Sequence, residues 1–374
     1  MEKLLRQQAI VILAAILPAN KATCEDVPAP AWSAQAAASY LDERAGWWLN
    51  WSESARGQGT ACVSCHTALP VALARPALSE PLGETAAGMI EEGLVDNVTK
   101  RVAHWEKIAA ESAAGDDPFR SFYSDRIPAS LGTEAVLNAL VLVNHDLRRA
   151  KGVLSAPAHK ALRHLWEQQQ PNGAWLWLDF GLNPWEKDGE FYGASLAAVA
   201  VGMAGKDHYD QADVQAKVAA LRRYLGTQSR NQPLHHRALA LWASSWLSGV
   251  VDETERSQLV EELLDVQEAD GGWSLAELGK IESATNRWET RGVFPEGSVS
   301  DGYATGLVVL ACKSTGVEDV DAKLKQGSDW LRANQRDGTW PATYLNVRRD
   351  PHNDVGKFMR DAATAFAILA LTQP

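Results

Sequence analysis

Basic stretches are missing from this sequence, and so is any run alternating cleanly enough to be a strand. Asp and Glu number 47 against 36 Lys and Arg, a net charge of −11. An acidic surface without a basic stripe repels phosphate backbones, which excludes nucleic acid as a partner. Long apolar runs are absent too. After residue 22 none is expected to reach the roughly 20 residues that cross a bilayer, so the mature chain should have no transmembrane segment. Cysteine is scarce, with four copies in 374 residues. Tryptophan, at fifteen, is in excess of what packing requires.

The first residues read as an export signal: Lys3 and Arg6, the apolar run Ala9 to Leu17, then small residues at Ala19 and Ala22. Residues 1–22 are therefore expected to be removed, and the mature protein to be periplasmic. The residues before Cys24 do not resemble a lipobox.

Helical periodicity runs through the rest, in two alternating kinds. Segments at 133–150, 192–205, 233–250, 300–316 and 360–373 are apolar nearly all round, as enclosed helices are. Segments near 155–170, 212–228, 253–268 and 321–334 carry a charged stripe and should face solvent. A pattern recurs where the amphipathic kind ends: Gln169 to Gly173 and Trp175, Gln267 to Gly271 and Trp273, and more loosely Gln335, Gly338 and Trp340. Gly supplies a left-handed helix terminus, and Trp packs on the next helix. Repeats with such a period indicate stacked helical hairpins. Links from amphipathic to apolar helices are mostly long, at 113–131, 175–191, 274–299 and 341–359, and should share one face. A functional site is expected there, at the N-terminal ends of the inner helices.

Cys62-Val63-Ser64-Cys65-His66 is C-x-x-C-H, the attachment signature of c-type haem. Two thiols one turn apart reach the two vinyl groups, and the adjacent imidazole binds iron. A small disulfide, half a zinc site and a thioredoxin-like pair use the same residue types. Trp47, Trp48 and Trp51 are candidates for the haem edge or for core packing. Met359 is the first candidate for a sixth iron ligand, ahead of His352, His235, His236 and Met89. Cys312, in an apolar helix, reads as an inert core thiol.

The Gln-x-x-x-Gly-x-Trp copies resemble the QW repeats of squalene–hopene cyclases, which share an α/α-toroid with protein prenyltransferase β-subunits. The resemblance covers residues 35–374 and implies six helical hairpins closing one ring, with a central cavity for an isoprenoid chain. It does not carry over the chemistry. The D-x-D-D acid motif is absent, the nearest string being Asp319-Val320-Asp321-Ala322, and Asp301-Gly302-Tyr303 lacks the thiolate of the prenyltransferase zinc site. Asp301, Glu134 and Asp361 stand near the starts of inner helices and are the weak catalytic candidates; the helix dipole alone favours carboxylates there.

The expectation is thus an all-α toroid with a haem-bearing N-terminal part at 23–130, either the first repeats or a small cytochrome-like segment, followed by the toroid at 131–374. Its expected function is electron transfer or oxidoreduction with covalent haem c, a redox partner protein, and an apolar ligand of isoprenoid or quinone type. The alternatives are a non-catalytic binding toroid with a structural Cys pair or zinc site, and a cyclase-like enzyme without the usual acid.

Overall fold

The computed structural model describes residues 32–114, 126–280, 299–316, 321–345 and 349–373. The expected signal at 1–22 and Cys24 lie outside them.

Among the described residues twelve helices alternate between two layers, with a further helix at Trp105–Ala114 outside the alternation. The outer ones are α1 (Ala34–Asn50), α3 (Met89–Ala103), α5 (Ala156–Gln168), α7 (Gln215–Gln228), α9 (Glu253–Asp265) and α11 (Asp321–Ala333). The inner ones are α2 (Ala68–Ala74), α4 (Ile127–Arg149), α6 (Glu190–Met203), α8 (Leu234–Trp246), α10 (Gly302–Lys313) and α12 (Phe358–Thr372). Each inner helix packs on the next, and α12 packs on α2, so the inner layer closes into a ring. The fold is an α/α toroid of six hairpins, as the repeat predicts.

Burial follows the two kinds of helix read from the sequence. In α10 every residue from Gly302 to Cys312 is buried, whereas α7 buries only Val218, Leu221 and Leu225. Side-chain caps mark several starts: Ser33 accepts from Ala36 N, Ser155 from Ala158 N, Asp252 from Glu255 N, and Asp301 from Tyr303 N and Ala304 N.

The recurring Gln, Gly and Trp join three of the outer helices, α5, α9 and α11, to the outer helix that each packs beside. Gln169 Nε2 donates to Gly173 O and to Lys217 O in α7, and Gln267 Nε2 donates to Gly271 O and to Lys323 O in α11. Gln335 completes the circle by bonding both the N–H and the carbonyl of Ser33, at the start of α1. Trp175, Trp273 and Trp340 each donate an indole N–H to the helix they follow, at Leu165 O, Leu263 O and Leu331 O.

Three expectations are corrected. A two-stranded antiparallel ribbon pairs Ala55–Arg56 with Thr60–Ala61, because the Gly57–Gly59 turn lets the chain double back. The helix Ile127–Arg149 is long and apolar enough, by length and composition, to cross a membrane; as α4 it instead lays most of that surface against the ring. The ring's centre, expected to be a cavity, is filled among the described residues by Trp185, Tyr192, His235 and Tyr303, which meet at ring-centroid distances of 5.4–6.0 Å.

Candidate functional site

Cys62 to His66 form an irregular turn between the ribbon and α2, leading directly into the first inner helix. The turn is fixed at both ends. Cys62 N–H donates to Ser54 O, and Cys62 O accepts the Trp48 indole N–H at 2.7 Å. Asn97 clamps the residue before it, accepting from Ala61 N and donating to Ala61 O. Ser64, one of the unspecified positions of C-x-x-C-H, takes the N–H groups of Thr67 and Ala68 on its hydroxyl and so caps α2.

Cys62 and Cys65 are both unpaired thiols, the first half-buried and the second buried. Burial raises both above the ordinary thiol range, and Glu186 is a negative neighbour that raises each further. Among the described residues no three His, Cys, Asp or Glu side chains gather as a metal-binding set.

His66 sits in an aromatic cage. Phe358 stacks on it at 3.8 Å between centroids, Trp48 meets it edge-on at 5.1 Å, and Trp185 lies at 6.4 Å. Burial, reinforced by the charges of Arg349 and Arg44, lowers its pKa from 6.5 to about 3. The imidazole is therefore neutral at physiological pH, the state in which histidine binds metals. Its Nδ1 lies 2.9 Å from Thr67 Oγ1.

One wall of a cleft is formed by His66. The other walls come from two long links on the same face of the ring, with Trp185 and Glu186 from one and Tyr344 and Arg349 from the other; Met359 of α12 closes it. The cleft measures about 60 Å³, room for a few waters and well below the roughly 300–1,000 Å³ of ordinary ligand pockets. Glu186 is raised by burial to about 7, so a carboxyl that is part-protonated at neutral pH faces both the thiols and the cleft.

The carboxylate candidates separate. Asp361 is fully buried in the first turn of α12, close to His66, and four donors converge on it: Arg44 Nε at 2.7 Å, an Arg44 terminal nitrogen at 3.0 Å, Tyr40 OH at 2.7 Å and Thr67 Oγ1 at 2.6 Å. Asp301 is the N-cap of α10 and also takes Leu275 N–H; burial raises it to about 6 against those donors. Glu134 lies well inside α4, because that helix begins at Ile127, and forms a two-pronged pair with Arg101 at 2.6 Å. Neither Asp301 nor Glu134 lines the cleft.

Of the proposed ligands only Met359 lines the cleft with His66. His235 and His236 are buried at the start of α8, His352 is exposed in a turn, and Met89 is exposed at the start of α3. Cys312 is buried in α10, its thiol raised by burial to about 12. Sequence reasoning missed Thr67, Arg44, Glu186, Arg349 and Phe358. Only Phe358, beside Met359, carried a signal: an aromatic at the start of an inner helix.

No protein-family model matches the chain, and no curated protein matches it. Among solved structures it is similar to an unsaturated glucuronyl hydrolase carrying a dGlcA-Glc-Rha-Glc saccharide, at 13% identity and a TM-score of 0.45, over 90% of this chain and 95% of that one.

Proposed function

We infer that this chain is an exported electron-transfer protein carrying one covalent haem c. One observation supports it most: two unpaired thiols and a neutral imidazole stand side by side in a pinned turn at the mouth of the ring. That donor set fits the group. Cys62 and Cys65 would hold it by thioethers and His66 by its imidazole, with Met359 a candidate for a further iron ligand. Bound there, the haem would supply one-electron redox chemistry.

The chain's own residues suit transfer better than substrate turnover. Trp185, Tyr192, His235 and Tyr303 pack against one another where the inner helices start. Trp48 touches the His66 ring, Trp51 lies 5.6 Å from Trp48, and Trp47 stacks on Trp51 at 4.9 Å. The half-exposed Trp47 and Trp51 thus bring an aromatic chain from the ligand to the surface, where a redox partner protein would dock. An apolar ligand, on this reading, would meet only the rim formed by Leu182, Trp185 and Leu345.

The test is maturation of the full chain in a host competent for cytochrome c assembly. The expected product stains for haem on a denaturing gel, and Cys62→Ser or Cys65→Ser reduces the covalent haem severely. Colourless protein with both thiols titratable would sink the reading. It would leave the structural Cys pair, the zinc-bound binding toroid or a cyclase-like activity to be separated by metal analysis and lipid extraction. Carbon monoxide that leaves the reduced spectrum unchanged supports a six-coordinate carrier; a shifted spectrum replaces it with an oxidoreductase that has an open iron position.

A further inference from the structure

We propose that Arg44, Asp361 and Thr67 form a positioning relay that fixes the tautomer of His66 and strengthens it as an iron ligand. The proposal rests on the haem reading above and adds three residues that reach the ligand from both ends of the fold.

The geometry decides the proton positions. Thr67 has one hydroxyl proton, and at 2.6 Å it donates that proton to Asp361 Oδ2. The contact between Thr67 Oγ1 and His66 Nδ1, at 2.9 Å, then needs its proton from the imidazole. His66 is therefore the Nδ1–H tautomer, and the lone pair lies on Nε2, the nitrogen left for a metal. Asp361 is able to act as the anionic end of this chain because Arg44, itself fully buried, grips both of its oxygens, and Tyr40 adds a further donor. Negative charge passed through one hydroxyl polarises the Nδ1–H bond, and that raises the donor strength of Nε2.

The three residues come from distant places. Arg44 belongs to α1, Thr67 precedes α2, and Asp361 belongs to α12, so the relay spans the seam where the ring's last hairpin meets its first. The ligand is thus correctly oriented only when the ring has closed, and a stretch of chain far from the haem motif sets its electronic character.

Thr67→Val keeps the shape and removes the bridge, while Thr67→Ser keeps the hydroxyl. In the haem-loaded full chain, the Val variant should shift the ferric-to-ferrous equilibrium toward ferrous by about tenfold, which is about 59 mV upward in midpoint potential for one electron. The Ser variant should titrate with the wild type. Independently, ¹⁵N shifts of His66 in the haem-free full chain should report a pure Nδ1–H tautomer in the wild type and the Ser variant, and a mixture in the Val variant. A Val variant with full haem and wild-type potential overturns the relay and leaves the haem reading standing. An Nε2–H tautomer in the wild type overturns it whether or not haem is attached. Wild-type protein without haem removes the redox role, whatever the tautomer.

Discussion

At the scale of single residues, burial makes several histidines of this ring sensitive to acid. His164 is 7% exposed and stacks on Trp105 at 4.7 Å. Burial, with Lys160 and Arg163 nearby, lowers its pKa from 6.5 to about 4. The unfolded chain therefore takes up the proton first as pH falls below about 6.5, so the stability this group contributes is lost between about 6.5 and 4. Between pH 7 and pH 5 the loss amounts to about 2 kcal/mol from His164 alone. His164→Phe keeps the stack on Trp105 and removes the titration. Its stability loss between pH 7 and pH 5, measured by urea unfolding at each pH, should be about 2 kcal/mol smaller than the wild type's. An equal loss in both proteins would rule out His164 as a source of acid sensitivity. Asp301 works in the opposite sense. Its carboxyl is raised to about 6, so its contribution weakens as pH rises from about 4 to 6, and the comparison of variant with wild type at each pH cancels it.

At the scale of elements, the Gln-x-x-x-Gly-x-Trp turn explains why the hairpins stack at a fixed distance. Gly173, Gly271 and Gly338 all have φ between 78° and 98°, a left-handed conformation that L side chains adopt at a cost. They differ in what lies beside them. A Cβ at Gly173 would stand 2.3 Å from Ala220 O of the next outer helix, and at Gly338 it would stand 2.3 Å from Ala36 O of α1, whereas at Gly271 the nearest atom, Gln326 Cβ, is 3.2 Å away. Gly173→Ala and Gly338→Ala should therefore each lose more than the roughly 1–2 kcal/mol of conformational strain alone, and Gly271→Ala should lose about that strain. Denaturant midpoints of the three variants check the ordering; equal losses would remove backbone contact as the cause. This is also where the fold was most legible. The two kinds of helix, their alternation and the turn between them depend on local periodicity and on glycine chemistry, which one sequence displays. The Ala55–Ala61 ribbon was not legible, since two residues per strand are too few to show alternation. The long apolar α4 escaped notice as a span-length helix because Thr133 and Glu134, in its first third, break its apolar run.

At the scale of the whole molecule, the site draws on residues that no local pattern connects. Cys62, Cys65 and His66 were visible as five consecutive letters, but Arg44 meets Asp361 from 317 positions away. A carboxylate at a helix start looks the same in sequence whether it caps its own backbone, as Asp301 does, or holds a distant guanidinium, as Asp361 does. The packed ring centre was equally hidden, because Trp185 reaches it from a long link and donates its indole N–H to Tyr303, 118 positions away in α10.

The Arg44–Asp361 pair also carries the seam's energetics. Both side chains are fully buried, and a buried pair is worth little against a well-packed apolar replacement, yet its loss on one side strands a charge without a partner. Asp361→Leu alone leaves the Arg44 guanidinium bonded only to Asp354, and should cost about 3–5 kcal/mol. Adding Arg44→Met should recover most of that loss, because neither desolvated charge then remains. Unfolding of the two single variants and the double variant measures the coupling. A double variant as unstable as the sum of its parts would mean that the seam is held by its apolar neighbours and that the ion pair has another origin. Recovery of stability in the double variant, with the relay to His66 gone, would instead separate the two roles: the ring can close without these charges, and their retention then answers to the orientation of the ligand.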